Sequence, residues 1–384
     1  MRILDYIIPS KFGRKSGLAA KLLGGSLTIM SGIDNTTRAE DYYIQPGTYW
    51  RDVNEVLANT QPRDRVFLLD GEHTIAAEQN AHYIVPTRKI YFGGESEENR
   101  NSVIVRMAEG SGSGTMIEVT APKVTLGNMT LQGPAFLGVH FIGENAFNDV
   151  LERINTRDLT RVADWDNHYA KKNSKPSFIF RDIYIQRASV GFHFSPLGKE
   201  KTSQSRYASF TNITADNIGG LLIEPPFYRK NKEFEIKGEF LDSVVINSGA
   251  VFPDSFFKYN MQFKTTPDGF VEWNNTSQSL YSRGIGERNK KVDPLLNCYG
   301  RPEPNSPVFD TRANNGHSGA FSFSGDFNND SDEDLQDYSY FPQTFTGPQI
   351  PAPLNFKNAY DSNCDEDVDL KDFAFFQTTF TGEK

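Results

Sequence analysis

The chain has 384 residues and a net charge of −9, long enough for one large domain and a small one. The acidity is local: residues 326–384 hold 13 of the 49 acids and 3 of the 40 bases, a net of −10, which leaves the rest at +1. A near-neutral body gives no electrostatic case for nucleic acid, and no stretch is long and apolar enough to span a membrane.

Residues 1–41 read as a lead-in. Lys11, Arg14 and Lys15 precede the apolar run Leu18–Leu23 and the small residues up to Gly32. Basic, apolar, then small is the order of a secretory signal, with cleavage expected near Gly32. Lys21 interrupts the run, so an uncleaved lead-in is the alternative.

The body begins near Tyr42 and extends to residue 320. Trp50, Val53, Val56 and Leu57 fall on one face at helical spacing and predict an amphipathic helix. Short strands follow with little helix between them: Asp64–Ile75, Ile90–Gly94, Ser102–Arg106, Met116–Val119 and Val124–Gly133. A sandwich of hairpins needs tight turns, and the body offers only Asp70-Gly71 and Asp268-Gly269.

A loose repeat takes over downstream. Leu126, Leu151, Phe180, Phe210 and Phe240 lie 25, 29, 30 and 30 residues apart. Each leads into an alternating strand, with Asn128, Asp182, Asn212 or Asp242 two residues on and Arg153 at that place in the second unit. Such a unit cannot bury its own face but stacks on copies of itself. The stacked Asn and Asp would recur at one turn and bond up the coil.

This texture over residues 42–255 resembles the right-handed parallel β-helix of the pectate-lyase-like superfamily, with its N-terminal capping helix. The resemblance implies fold more than reaction. An irregular β-sandwich is the rival. The polygalacturonase residues do not follow: Asn155-Thr156 leads to Arg157, and Gly316-His317 to Ser318.

Residues 155–175 read as a long insertion between two units, where a rigid coil often carries function. Asp164 and Asp166 would share a face of an extended segment, as a carboxylate pair or as calcium ligands, while Arg161 and His168 suit eliminative cleavage. Trp165 and Tyr169 are candidates to stack on sugar rings, with Arg157 beside them. The bland alternative is a solvated loop of mixed charge. His193 reads as a histidine of the coil with a lesser claim to catalysis. From 252 the chain turns irregular but aromatic, and a linker is expected around 312–324.

Residues 325–384 carry one sequence twice at an offset of 35. Calcium takes six to eight oxygens, which a loop supplies at positions 1, 3, 5, 7, 9 and 12. Asp326, Asn328, Asp330, Asp334 and Asp337 supply side chains in the first copy, with the Asp332 carbonyl at position 7. Asp361, Asn363, Asp365, Asp369 and Asp372 do so in the second, with the Asp367 carbonyl. Two calcium ions are therefore expected, one per loop. Apolar residues at helical spacing follow each loop: Leu335, Tyr338, Phe341 and Phe345, then Leu370, Phe373, Phe376 and Phe380. Ser331 and Glu366 stand where a sharp turn favours Gly, and Pro342 lies inside the first helix.

The duplicated loop-helix resembles a dockerin module. The resemblance implies a cohesin-like partner, an extracellular or cell-surface location and a polysaccharide-active chain, whether lyase or glycoside hydrolase. The alternative is a non-catalytic glycan-binding or adhesion protein; a third, a viral fibre, predicts a trimer. The two cysteines, Cys298 and Cys364, form either a disulfide or two thiols. The predicted fold is mainly β, with a small α-helical C-terminal domain.

Overall fold

The computed structural model describes residues 39–76, 78, 81–95, 100–108, 114–142, 148–166, 177–194, 204–224, 234–249, 261–268, 271–273, 275, 290–303, 305–310, 334–352 and 360–380. Within them the body is a parallel β-solenoid whose one continuous sheet winds over three faces, the first, second and third sheets. Its strands in chain order are β1 (Asp41–Ile44), β2 (Arg65–Leu68), β3 (Gly71–Ile75), β4 (Tyr83–Val85), β5 (Tyr91–Gly94), β6 (Val103–Met107) and β7 (Thr115–Val119). Three 18-residue strands follow: β8 (Thr125–Ile142), β9 (Asp149–Asp166) and β10 (Ser177–Phe194). Then come β11 (Gln204–Ile218), β12 (Ile223–Glu224), β13 (Phe234–Leu241), β14 (Val244–Ile246), β15 (Met261–Asp268), β16 (Val271–Trp273) and β17 (Lys290–Lys291).

Each long strand bends twice and so serves all three sheets. The bends explain the sequence repeat. Asn128, Arg153, Asp182, Asn212 and Asp242 all have positive φ, between 46° and 55°. They form the corner between the first and second sheets, as the repeat predicts. A second corner, into the third sheet, lies five residues on: Asp158, Arg187, Asn217 and Asn247 have φ between 49° and 59°. One left-handed residue turns the chain sharply, and after glycine Asn and Asp tolerate that conformation best. The corners bond upward. Asn212 Nδ2 donates to Asp182 Oδ1 at 2.8 Å, and Arg153 Nε donates to Asn128 Oδ1 at 2.6 Å. At the second corner the Arg187 guanidinium donates to both oxygens of Asp158, at 2.6 and 2.9 Å.

Stacking in register aligns the core. Phe92, Leu126, Leu151, Phe180, Phe210 and Phe240 form one buried column. Phe180 and Phe210 stack with ring centroids 5.0 Å apart. Each such side chain contributes about 1.5–3 kcal/mol of burial, and none is buried until a neighbouring rung covers it.

Helix α1 (Trp50–Asn59) closes the first end. Val53 and Leu57 enter the core, and Trp50 and Val56 pack against it. Asn54 satisfies the open edge of β4: its Oδ1 accepts from Ile84 N and its Nδ2 donates to the His82 carbonyl, both at 2.8 Å. An unpaired first strand would otherwise leave these groups without partners. Among the described residues no helix is long and apolar enough to cross a membrane.

The tail holds helices α2 (Leu335–Thr344) and α3 (Leu370–Thr379). Phe341, Tyr360, Val368 and Phe376 make its core. The predicted apolar stripe is only partly buried: Leu335 and Leu370 stand exposed at the two helix starts, as do Tyr338, Phe345 and Phe380. Pro342 sits within α2, whose length nonetheless equals that of α3. Of the two states open to the cysteines, the structure has the disulfide Cys298–Cys364, which joins the segment after β17 to the tail.

Two outcomes are expected from this architecture. Asn212→Val should be less stable than Asn212→Gly by about 1–2 kcal/mol, because both lose the bond to Asp182 and only the β-branched side chain also resists a left-handed corner. Denaturant midpoints of the two variants check this. Asp149 is buried, and burial pushes its carboxyl well above the usual range, against the pull of backbone N–H donors from Val124 and Lys123. A raised carboxyl favours the fold below its unfolded pKa and costs stability as pH rises through the folded one. Asp149→Asn should therefore melt near the parent at pH 4 and above it at pH 8; a difference independent of pH would count against this.

Candidate functional site

Parallel strands in register place equivalent residues about 4.8 Å apart. On the outer face of the third sheet this lines up Glu118, His140, Asp164, His193 and Glu224, from β7, β8, β9, β10 and β12. Like charges directly opposed on neighbouring strands destabilise a sheet, so acid alternating with imidazole is the tolerable pattern.

The last three members close into a network with Arg161. His193 Nδ1 lies 2.9 Å from Asp164 Oδ1. Arg161 Nη1 donates to Asp164 Oδ2 at 3.1 Å, and its Nη2 lies 3.8 Å from Glu224 Oε2. The same Glu224 oxygen is 3.8 Å from His193 Nε2. Arg161 Nη1 also comes within 3.4 Å of His193 Nδ1, a contact that cannot be a hydrogen bond while Nδ1–H serves Asp164. Asp164 is 7% and His193 6% exposed, although both face away from the core. The Arg161 guanidinium lies over the ring of Phe136, 5.2 Å from its centroid, and that ring is exposed. Chemically this is an imidazole oriented by one carboxylate and aimed at another, the arrangement of a general acid and base.

The expected site residues divide. Residues 155–166 are strand, not insertion, because β9 runs unbroken to Asp166. Arg161 and Asp164 are brought together. Trp165 is corrected outright: alternation turns it inward, 2% exposed, against Phe178 and Phe194, so it cannot stack on a sugar. Arg157 lies on the second sheet in register with Gln132 and Gln186, separated from the network by the corner at Asp158. The side chain of Asp166 and all of His168 and Tyr169 lie outside the described residues. The network also holds His193 and Glu224, with Phe136 beside it; sequence reading assigns His193 only a lesser claim and does not single out the other two. The signal for His193 was its 29-residue offset from Asp164, the same offset that separates Leu151 from Phe180.

The second site is in the tail. Asp361, Asp365 and Asp372 form one group whose oxygens lie within 4.8 Å of one another, and Asp367, Asp369 and Asp372 form a second. Asp372 is buried and belongs to both. Asp361 Oδ1 accepts from Asp365 N at 3.1 Å, and its Oδ2 from Glu366 N at 2.9 Å. Asp372 Oδ1 accepts from Ser362 N at 2.8 Å. Burial pushes the carboxyls of Asp361 and Asp372 above the usual range, and these hydrogen bonds pull against it. Lys371 Nζ lies 2.9 Å from Asp365 Oδ2 and holds that exposed carboxyl below its ordinary value. Asp369 also caps α3, accepting from Lys371 N at 2.7 Å, while Asp372 Oδ2 accepts from Asp369 N at 2.9 Å.

An all-oxygen donor set suits a hard cation. Buried Asp367 Oδ1 has no hydrogen-bond partner, as an oxygen reserved for an ion would. Sequence reading assigned Asp367 only its carbonyl. Asp334 and Asp337 repeat the same capping box at α2. Asp326, Asn328, Asp330 and Asp332 lie outside the described residues. Glu366 has φ 76°, so the left-handed turn expected at loop position 6 is present without its glycine.

No family model matches this chain, and no curated protein matches it.

Removing the Cβ at position 6 should ease the loop. Calcium titrated into Glu366→Gly is expected to bind several-fold tighter than into Glu366→Ala, which loses the same charge but keeps the strain of about 1 kcal/mol. Calorimetry reads the difference; equal affinities would refute it.

Proposed function

We propose that this chain is a secreted, polysaccharide-active β-helix protein of the pectate-lyase-like kind, held to an assembly or surface by a dockerin-like calcium module. The observation that carries the catalytic part is the Arg161, Asp164, His193 and Glu224 network on three consecutive rungs of one sheet face. A solenoid presents a long ridge on which a polymer can lie. In this reading His193 moves the proton at Nε2, Asp164 fixes its tautomer through Nδ1, and Arg161 pairs with both carboxylates and holds them in place. Glu224 is the second carboxylate that hydrolysis requires; in an elimination His193 is the base. Exposed Phe136 offers a ring face to a sugar.

The tail reading rests on the convergent carboxylates of the second loop. Asp361, Asn363, Asp365, Asp369 and Asp372 would hold calcium, with Asp367 by carbonyl or carboxylate. Calcium there supplies the positive charge that lets these acids sit together. A second calcium belongs to the first loop by repetition. A cohesin-like protein is the proposed partner, and an extracellular location follows from the same likeness.

One observation favours a second reading. Asp164 and His193 are nearly buried and already satisfy each other, as a purely structural network would. The chain is then a non-catalytic glycan-binding or adhesion protein.

A product assay decides. The full chain, with calcium, is incubated with polyuronates and neutral glycans, reading new reducing ends and the ultraviolet absorbance of unsaturated sugars. Cleavage is expected, lowered about 100-fold or more in His193→Ala with unchanged circular dichroism. Silence across the panel would reject the catalytic reading; full activity in His193→Ala would reject this network as its seat.

A further inference from the structure

The disulfide and one tyrosine tie the second tail loop to the body at two of its most sensitive positions. The tie begins in a short turn, residues 297–301. Asn297 organises it: its Oδ1 accepts from both Tyr299 N and Arg301 N at 3.0 Å, and its carbonyl accepts from Gly300 N at 3.0 Å. Asn297 N in turn donates to the Arg301 carbonyl at 2.8 Å, and a bridge between Leu296 and Pro302 closes the base.

The turn is mounted on the second sheet. Gly300 has φ 76° and lies so close to Tyr184 of β10 that a Cβ there would meet the ring at 2.5 Å. Val308 is buried against Val244 of β14, with Leu296 and Phe309 packed beside them. The turn is therefore a fixed part of the solenoid wall.

It presents two adjacent groups to the tail. Cys298 is bonded to Cys364, the fourth residue of the second loop, which lies between the expected ligands Asn363 and Asp365 and has φ 64°. Tyr299 Oη donates to Oδ2 of Asp361, the first residue of that loop, at 2.7 Å. The first loop has Asn329 where the second has Cys364, so it can make no such covalent tie.

We propose that the second loop is a composite divalent-cation site, in which the body turn 297–301 positions the first carboxylate through Tyr299 and the left-handed fourth residue through Cys298. This rests on the reading of the tail as a calcium module. Tyr299 and Cys298 are positioning residues and not ligands. Groups that orient a metal's ligands commonly change its affinity about 10-fold or more when removed. A cross-link that holds the loop in its binding conformation acts in the same direction, because less freedom is lost on binding. The linkage is reciprocal: an ion in the second loop must steady the turn and shield its disulfide.

The test uses the full chain with Asp326→Ala, so that only the second loop remains intact, and calcium as the probe in calorimetry. Tyr299→Phe in that background should weaken binding about 10-fold without changing the circular dichroism. A second readout does not depend on affinity. Dithiothreitol reduces Cys298–Cys364 to two thiols while its own two thiols become a cyclic disulfide. Calcium should slow that reduction several-fold in the parent chain and have no effect in Asp361→Ala. Equal calcium affinity with and without the Tyr299 hydroxyl, together with a reduction rate indifferent to calcium, overturns the proposal while leaving the calcium module standing. A parent chain that binds no calcium overturns both.

Discussion

Every rung of this coil must turn twice within about five residues and still return in register. The backbone manages this with one left-handed residue at each corner. All else in the body depends on that constraint. Because the corners repeat, the strands between them align, the inward side chains form continuous columns, and the ladders are satisfied. The corners also stabilise one another through side-chain bonds such as Asn212 to Asp182 and Arg187 to Asp158. Arginine at two corners shows that the requirement is a partner on the next rung and not amide chemistry as such. Where no side chain fits, glycine serves: a Cβ at Gly93 would fall 1.8 Å from the Gly127 carbonyl oxygen.

Register has a second consequence, on the outside. Residues far apart in sequence become neighbours on one face, in rows set by the pitch of the coil. The row that holds Asp164 and His193 is built this way, and Arg161 joins it from three residues upstream on the same strand. Such a row gathers chemistry with no dedicated loop. The mixture of signs keeps it tolerable, since two carboxylates face one imidazole and one guanidinium.

The tail obeys a different constraint. A loop of carboxylates repels itself, and each copy relieves part of that with a reciprocal cap on the following helix. The second copy is also fastened to the body by a disulfide spanning 66 residues, worth roughly 4 kcal/mol on a chain-entropy account. The fastening passes through the loop itself, so body and tail share a structural element and do not meet only through a linker.

The sequence by itself determined the repeat, its apolar columns, the first corner, the cap helix and the duplicated tail. These are periodic or local, and one chain records period and spacing directly. It did not reveal the second corner, because Asp158, Arg187, Asn217 and Asn247 share a backbone angle more than a residue type. Nor did it show that residues 155–166 are strand: their charges resemble a loop until the neighbouring rungs cover them. Only the tertiary structure turned Trp165 inward, set His193 between Asp164 and Glu224, and joined Tyr299 to Asp361. Each of those depends on which residue lies beside which across a full turn or between modules. That is fixed by packing in three dimensions, and no local pattern carries it.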